Sequence, residues 1–306
     1  KLIRSREKGI IYSINSWDNY FYMHTNKDAE DFKIERCKDI SSQKWETFIA
    51  PKEETLIGSL LFLNKWIVRS EVTNALDKIF VKNIETNKEE ELIFTDESVY
   101  ESAVSHIQKD KNTDLIYIAY STPKTQSRAY LYNLKTKEKK LVKEQIIPSG
   151  HDSKNYIVER LECESHDGRK VPITITRHKD TPVDGSAHLL LYGYGSYGAS
   201  MTASFSLSRL SLINRNIIWA TTHIRGGMER GMKWWKEGKL LHKKNTFKDY
   251  IHSANFLINK KYTSKGKIIG MGGSAGGLLM GAVVNQAPDL FLGIIMAVPF
   301  VDSLTT

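Results

Sequence analysis

The feature that most restricts the fold is a glycine-dense stretch in the last quarter of the chain, KIIGMGGSAGGLL at residues 267–279. Its first residues suit a buried strand, and the residues that follow Ser274 can begin a helix. A strand that turns sharply into a helix strains the backbone at the corner. Side chains two positions before and after the corner would collide, so glycine is needed there. The stretch therefore predicts a strand, a tight turn at Ser274 and a helix from Ala275.

The residues of this turn also indicate a chemistry. Residues 272–276 read GGSAG and fit G-x-S-x-G, the pattern that presents the nucleophilic serine in α/β-hydrolases. Such a turn exposes the serine above the edge of the sheet. The following helix points its positive end at the corner, where a backbone N–H can donate to an oxyanion. We predict Ser274 as the nucleophile and the N–H of Ala275 as an oxyanion donor.

Two other interpretations of the same residues stay open. Gly270, Gly272 and Ala275 match a relaxed form of the dinucleotide-binding pattern that follows a strand. That pattern expects an acidic residue at the end of the next strand, whereas Asp289 precedes the apolar run 290–299. The stretch could also be a glycine-rich connection without any chemistry.

Composition excludes several classes of protein. The net charge of +9 comes from scattered lysines without a stripe of arginine and aromatic residues, so we expect no nucleic-acid partner. Cys37 and Cys163 have no spacing typical of a disulfide framework or a zinc site, which favours the cytoplasm and predicts neither metal nor cofactor. The sequence has no apolar run of about 18 residues, so no membrane span is predicted.

The first 150 residues predict an all-β domain. Short segments of strand-like composition alternate with turn-forming residues and show no amphipathic helix. The predicted strands are 20–25, 32–37, 44–49, 60–70, 78–84, 115–121 and 128–134.

These strands repeat. Asn83 aligns with Asn133 across a spacing of fifty residues, and the pairs 22–23, 67–68 and 117–118 recur at 45 and then 50 residues. Four-stranded units of this period are typical of β-propeller blades. We therefore predict that residues 1–150 form two to three blades, fewer than the four to eight of a closed propeller.

Residues 151–306 predict a doubly wound, mostly parallel α/β sheet. A hairpin at 155–177 precedes continuous apolar runs at 188–192 and 216–222, which suit strands covered on both faces. Thr246 is expected to be the N-cap of the next helix, with Asp249 in its first turn. Glycine-rich loops after successive parallel strands would gather at one edge, where such sheets place their active sites.

Taken in order, these features resemble one family. The repeats, LYGYGSYG at 191–198, HIRGG at 223–227, GGSAGG at 272–277 and VPFVD at 298–302 are similar to the prolyl oligopeptidase family of serine peptidases, in particular its oligopeptidase B branch. The resemblance runs over essentially the whole chain. It implies a β-propeller fragment followed by a partial α/β-hydrolase domain, cut after the strand that follows the nucleophile helix. It also implies a cytoplasmic peptidase that cleaves short peptides after Arg or Lys.

The resemblance also assigns site residues. Ser274 matches the nucleophile, Ala275 the residue whose N–H faces the oxyanion, and Tyr194 the tyrosine whose hydroxyl is the second oxyanion donor. The branch usually carries two aspartates associated with a basic residue next to the cleavage site. Thr202 and Ser204 stand at those positions, so a preference for paired basic residues is not implied, and no substrate-binding residue is assigned.

The sequence does not supply a complete triad. All nine histidines precede Ser274, whereas α/β-hydrolases have the order Ser, Asp or Glu, His. His223 is the one histidine at a suitable strand end, although a loop anchor is the more usual role there, and Asp302 follows the strand after the nucleophile helix. The resemblance places the catalytic Asp and His beyond VPFVD, and the sequence stops at Thr306.

Because a serine without its base is a poor nucleophile, we predict that the chain alone is nearly inactive. A complementing C-terminal polypeptide is the expected partner. The alternatives are an α/β-hydrolase that acts on esters, and a non-catalytic interaction fragment.

Overall fold

The computed structural model describes residues 3–107, 111–302 and 304. Within these ranges the first half of the chain forms three sheets, each of four antiparallel strands joined in chain order. The strands are β1 (Tyr12–Trp17), β2 (Tyr20–Thr25), β3 (Lys33–Cys37), β4 (Glu46–Ile49), β5 (Thr55–Phe62), β6 (Trp66–Thr73), β7 (Leu76–Asn83), β8 (Glu89–Glu91), β9 (Glu101–His106), β10 (Leu115–Thr122), β11 (Thr125–Asn133) and β12 (Lys139–Glu144). These sheets are propeller blades, as predicted.

The sequence repeat reflects equivalent positions in the blades. The side-chain oxygens of Asn83 and Asn133 each accept two backbone N–H bonds at 2.9 to 3.0 Å, in the turn after the third strand of the blade. Met23, Val68 and Ile118 lie on the second strands and are completely buried. Each repeat therefore preserves one turn and one core position, because every blade has to pack on its neighbour.

One predicted strand is wrong. The segment 60–70 contains the end of β5, a turn and the start of β6, and Leu63 and Trp66 exchange backbone hydrogen bonds across that turn. Apolar residues on both sides of Asn64 and Lys65 concealed the break. Strands β1, β8, β9 and β12 lie outside the predicted segments. Two of them, β8 and β12, are polar edge strands that give little apolar alternation.

The second half of the chain forms a six-stranded sheet with helices. Its elements are β13 (Tyr156–Glu164), β14 (Lys170–His178), β15 (Leu189–Tyr192), α1 (Leu207–Ile213), β16 (Ile218–Thr222), α2 (Gly231–Lys236), α3 (Lys244–Asn259), β17 (Ile268–Gly273), α4 (Ala275–Gln286) and β18 (Phe291–Ala297). The strand order is β13-β14-β16-β15-β17-β18. The last four strands of that order are parallel, and β14 runs antiparallel to both β13 and β16.

The order of the parallel strands creates a crevice. The chain passes from β15 to β16 on one side and then crosses to β17 on the other side of β15. Tyr192 on β15 lies beside Met271 on β17, and the N–H of Gly193 donates to the carbonyl of Met271 at 3.1 Å. The carboxyl ends of β15 and β17 therefore meet at the point where the winding reverses, which is where open α/β sheets bind their ligands.

The predicted helix cap at Thr246 is wrong. Helix α3 begins at Lys244, and the hydroxyl of Thr246 donates to the carbonyls of Arg225 at 2.8 Å and Gly238 at 3.2 Å. Asp249 is completely buried and bonds the guanidinium of Arg225 at 2.6 and 2.8 Å. These side chains attach α3 to the loop after β16, which is why polar residues occur so close to the helix start.

In the part of the chain that the structure describes, no helix combines the length and apolar character needed to cross a membrane. The same residues contain no group of three His, Cys, Asp or Glu side chains arranged to hold a metal ion.

Candidate active site

Ser274 occupies a strained turn between β17 and α4. Its φ of 54° and ψ of −119° lie in a backbone region that residues other than glycine rarely adopt. Its N–H donates to the carbonyl of Ala297 at 2.8 Å, and its carbonyl accepts from the N–H groups of Gly277 and Phe300 at 2.9 Å each. The backbone is therefore fixed on both sides of the turn, while the side chain of Ser274 is exposed.

The two glycines of the motif are required by close backbone contacts. A Cβ on Gly272 would overlap the carbonyl oxygen of Gly276 and lie 3.1 Å from that of Gly193. A Cβ on Gly276 would lie 3.0 Å from the carbonyl oxygen of Gly193 and 3.3 Å from Cδ2 of Tyr194. The collision across the turn that was expected from the sequence is thus present for Gly272, whereas Gly276 is restricted by the neighbouring loop at Gly193 and Tyr194.

The structure brings Tyr194 to this turn. Tyr194 follows β15 by two residues, and the same Cβ position on Gly276 would lie 3.5 Å from the Cα of Tyr194. Its side chain is half-buried, whereas that of Tyr197 is 75% exposed. Tyr194 and Ser274 therefore stand on the two adjacent loops at the carboxyl ends of β15 and β17.

The N-terminus of α4 supplies further donors. Helix α4 begins at Ala275, so the N–H of this residue has no intrahelical acceptor, and the positive end of the helix faces the turn. Ala275 itself is buried. A backbone N–H at a helix start next to an exposed serine is the kind of donor that can stabilise an oxyanion.

His223 lies away from this turn in a buried cluster. Its Nε2 faces the guanidinium of Arg160 at 2.8 Å and the hydroxyl of Thr174 at 2.9 Å. Burial, together with the charge of Arg160, holds the pKa of His223 well below its usual range. Since an arginine can only donate, Nε2 has to accept, which leaves it no lone pair for a serine. His223 therefore anchors a loop. The other candidate, Asp302, is exposed and accepts a hydrogen bond from the N–H of Leu304 at 3.1 Å.

Two charged residues that are withdrawn from solvent, the buried Glu229 and the partly buried Lys243, were not predicted from the sequence. Glu229 accepts a bond from the N–H of Met201 at 2.9 Å, and burial raises its pKa to about 7. Lys243 donates to the carbonyl of Gly195 at 2.5 Å, and burial lowers its pKa to about 8. Neither residue belongs to a local motif, because both bind loops far away in sequence.

The fold and the turn define a class: an α/β-hydrolase sheet with a strained serine turn, joined to propeller blades. The model of the prolyl oligopeptidase N-terminal β-propeller domain matches residues 1–145, and that of the prolyl oligopeptidase family itself matches residues 203–306. The chain belongs to the prolyl oligopeptidase family.

Individual relatives agree with this assignment. The chain is 37% identical to dipeptidyl aminopeptidase BI of Pseudoxanthomonas mexicana, aligning over 100% of this chain and 42% of that protein. It is 35% identical to Protease 2 of Moraxella lacunata, over 100% of this chain and 44% of the relative. The structure of oligopeptidase B from Trypanosoma brucei with covalently bound antipain superposes with a TM-score of 0.91 at 33% identity, covering 98% of this chain and 44% of that one. The chain thus spans less than half the length of these relatives.

Proposed function

We propose that this chain supplies the nucleophile and the oxyanion-binding groups of a serine oligopeptidase. Ser274 would attack the peptide carbonyl, and the N–H of Ala275 and the hydroxyl of Tyr194 would hold the negative oxygen of the tetrahedral intermediate. The observation that carries this proposal is the strained, exposed turn of Ser274 beside the Tyr194 loop. Each oxyanion donor of this kind contributes about 3 kcal/mol to transition-state stabilisation.

The base and its orienting acid would come from other residues. Of the nine histidines, the candidate at a strand end, His223, is engaged by Arg160 and has no free lone pair at Nε2. Loss of the triad histidine costs roughly a million-fold in turnover, so we propose that the chain alone is nearly inactive. A polypeptide that carries the Asp and the His would complete the site, and β18 offers the edge on which further strands could pair.

Labelling with a fluorophosphonate tests the nucleophile and the incomplete triad together. The chain is expressed alone and with a polypeptide that carries the Asp and His of the family. We expect Ser274 to be labelled at least a thousandfold faster in the mixture, since the base activates it. Ser274→Ala should abolish labelling, and Ser13→Ala, at an exposed position of the first blade, should leave it unchanged. Equally fast labelling of the chain alone would refute the proposed inactivity.

We further propose short peptides with Arg or Lys before the cleaved bond as substrates. Similarity to Protease 2 and to an oligopeptidase B supports this choice, whereas a dipeptidyl aminopeptidase is similarly close in sequence. The completed enzyme should therefore be assayed on arginine amides with a blocked and with a free amino terminus, and on a short acyl ester. Cleavage of the blocked amide is the expected result. Cleavage only of the amide with a free amino terminus would indicate an aminopeptidase-like substrate instead, and cleavage only of the ester would indicate an esterase.

We also propose a cytoplasmic location and a domain boundary near residue 150. Cys37 and Cys163 are both buried free thiols, which suits a reducing compartment. The last blade strand ends at Glu144 and the six-stranded sheet begins at Tyr156. Proteolysis that cuts between these two residues and leaves both halves intact would support the boundary.

A further inference from the structure

The loop that carries Tyr194 rests on a lysine in an unfavourable position. Lys243 directly precedes α3, a position where the helix dipole disfavours a positive residue. Its side chain is largely withdrawn from water, and burial is the cause that lowers its pKa. No ion pair joins it to a carboxylate within the described ranges. A cation that lacks a counter-ion and is poorly hydrated opposes the stability of the fold.

The contacts of Lys243 show what its ammonium holds. Nζ donates to the carbonyl oxygen of Gly195 at 2.5 Å and to the hydroxyl oxygen of Ser196 at 2.7 Å. Gly195 follows Tyr194 directly. The two bonds therefore hold the two residues that directly follow Tyr194, whose hydroxyl would face the oxyanion.

Close packing at Gly195 leaves little room for other side chains to hold the loop there. Gly195 has a φ of +67°, and a Cβ there would lie 2.5 Å from Cγ2 of Thr246 and 2.9 Å from the carbonyl oxygen of Arg225. The backbone of the loop therefore lies close against the first turn of α3 at Gly195, which has no side chain that could form a hydrogen bond. Further along, the N–H of Gly198 donates to the carbonyl of Gly226 at 2.9 Å. Lys243 supplies the polar contact on the side of Tyr194 that leads into the loop, while the N–H of Gly193 bonds Met271 on the strand side.

We propose that Lys243 is a positioning residue that fixes the Gly195–Ser196 peptide and thereby aims the hydroxyl of Tyr194 at the oxyanion. This inference rests on the proposed function of Tyr194 and Ser274. Lys243 does not touch the substrate in this scheme, and it acts on turnover through Tyr194. A lysine that merely stabilised the fold would affect the enzyme equally whether or not the tyrosine hydroxyl is present.

A double-mutant cycle on the full chain, completed by the polypeptide described above, tests the coupling. Tyr194→Phe should lower kcat by about 100-fold, the size of the loss of one oxyanion donor. Lys243→Met should lower kcat roughly tenfold or more with little change in KM, because the misplaced donor acts in the transition state. In the Tyr194→Phe background, Lys243→Met should cost less than about threefold, since the group it positions is gone.

The controls separate positioning from folding. Lys243→Arg keeps a donor to the two loop oxygens and should restore part of kcat, whereas Lys243→Met should not. Lys244→Met changes the adjacent, exposed lysine at the same helix end and should have no effect on kcat. Equal losses from Lys243→Met with and without the Tyr194 hydroxyl, or a loss confined to KM, would overturn the proposal.

A second measurement keeps the two proposals distinguishable. Hydrogen exchange of residues 195–200 is followed by mass spectrometry in the chain itself. Lys243→Met should accelerate exchange in this segment several-fold and leave α4 unchanged, while Lys244→Met should alter neither. If the completed enzyme proves inactive but the segment loosens in this way, the proposed function fails and the positioning contact stands. Unchanged exchange at residues 195–200 would overturn the positioning contact whatever the activity.

Discussion

At the scale of single residues, Glu229 stands out because an acid is buried where no water can hydrate it. One carboxylate oxygen accepts the N–H of Met201, and the other has no partner among the described residues. The neighbouring charge of Arg160 lowers the pKa less than burial raises it. The result is a carboxyl group whose pKa in the fold lies above its value in the unfolded chain, from 4.5 to about 7.

The sign of the effect on stability follows from proton counting. Between pH 4.5 and about 7 the folded chain retains a proton that the unfolded chain has lost, so Glu229 makes folding less favourable as the pH rises. Glu229→Gln keeps the acceptor for Met201 and has no charge to bury, so we predict that its free energy of unfolding exceeds that of wild type. This excess should be about 2 kcal/mol larger at pH 8 than at pH 5. Urea unfolding at the two pH values measures this difference. Glu53→Gln, at an exposed position, should show the same difference from wild type at both pH values. The same constant difference for Glu229→Gln would contradict the prediction.

The sequence predicted the residues whose role is local and missed those whose partners are distant. Gly272 and Ser274 were predictable because the turn constrains them within five consecutive residues, where a Cβ on Gly272 would overlap the carbonyl oxygen of Gly276. Lys243 bonds a loop 48 residues earlier, and Asp249 bonds an arginine 24 residues earlier. Nothing adjacent to either residue encodes such a partner, so Asp249 was interpreted as part of a helix start.

At the scale of elements, the β17–turn–α4 unit is determined by close backbone contacts. Helix α4 begins at Ala275, as predicted, because the glycine turn begins it, and Pro288 follows its end at Gln286. The hairpin β5–β6 was missed since its turn lies between two apolar runs. Local backbone chemistry therefore predicted elements better than apolar pattern alone.

Gly272→Ala tests this unit. A Cβ at position 272 would overlap the carbonyl oxygen of Gly276, so strand and helix would have to separate. We predict a loss of about 3 kcal/mol in the free energy of unfolding, together with slower fluorophosphonate labelling of Ser274 in the completed enzyme. Gly273→Ala is the matched control, because its Cβ would meet Ala297 at an ordinary 3.5 Å. Equal stabilities of the two variants would show that the turn is not sterically determined.

At the scale of the whole molecule, the first blades and the six-stranded sheet are joined by a helix cap supplied from the other domain. Arg230, which precedes α2, gives no side-chain cap, and Oδ1 of Asp31 accepts the N–H of Met232 at 2.5 Å instead. Asp31 is buried. Beside it, Glu30 forms an ion pair with Lys236 at 2.8 Å, in which both side chains are about half exposed. Of these two neighbouring contacts, the buried cap should therefore dominate the coupling of the domains, because solvent weakens the exposed pair.

We predict that Asp31→Ala loosens the join between the domains. Loss of the cap should cost about 1 to 2 kcal/mol, since the N–H of Met232 would remain buried without its acceptor. Hydrogen exchange should rise in α2 and in the adjoining blade residues, and stay unchanged in α4. Glu30→Ala removes the exposed ion pair next to it and should cost less than about 0.5 kcal/mol. If Glu30→Ala loosened α2 as much as Asp31→Ala, the domains would be held by surface charge, and the capping contact across the domains would have no special role.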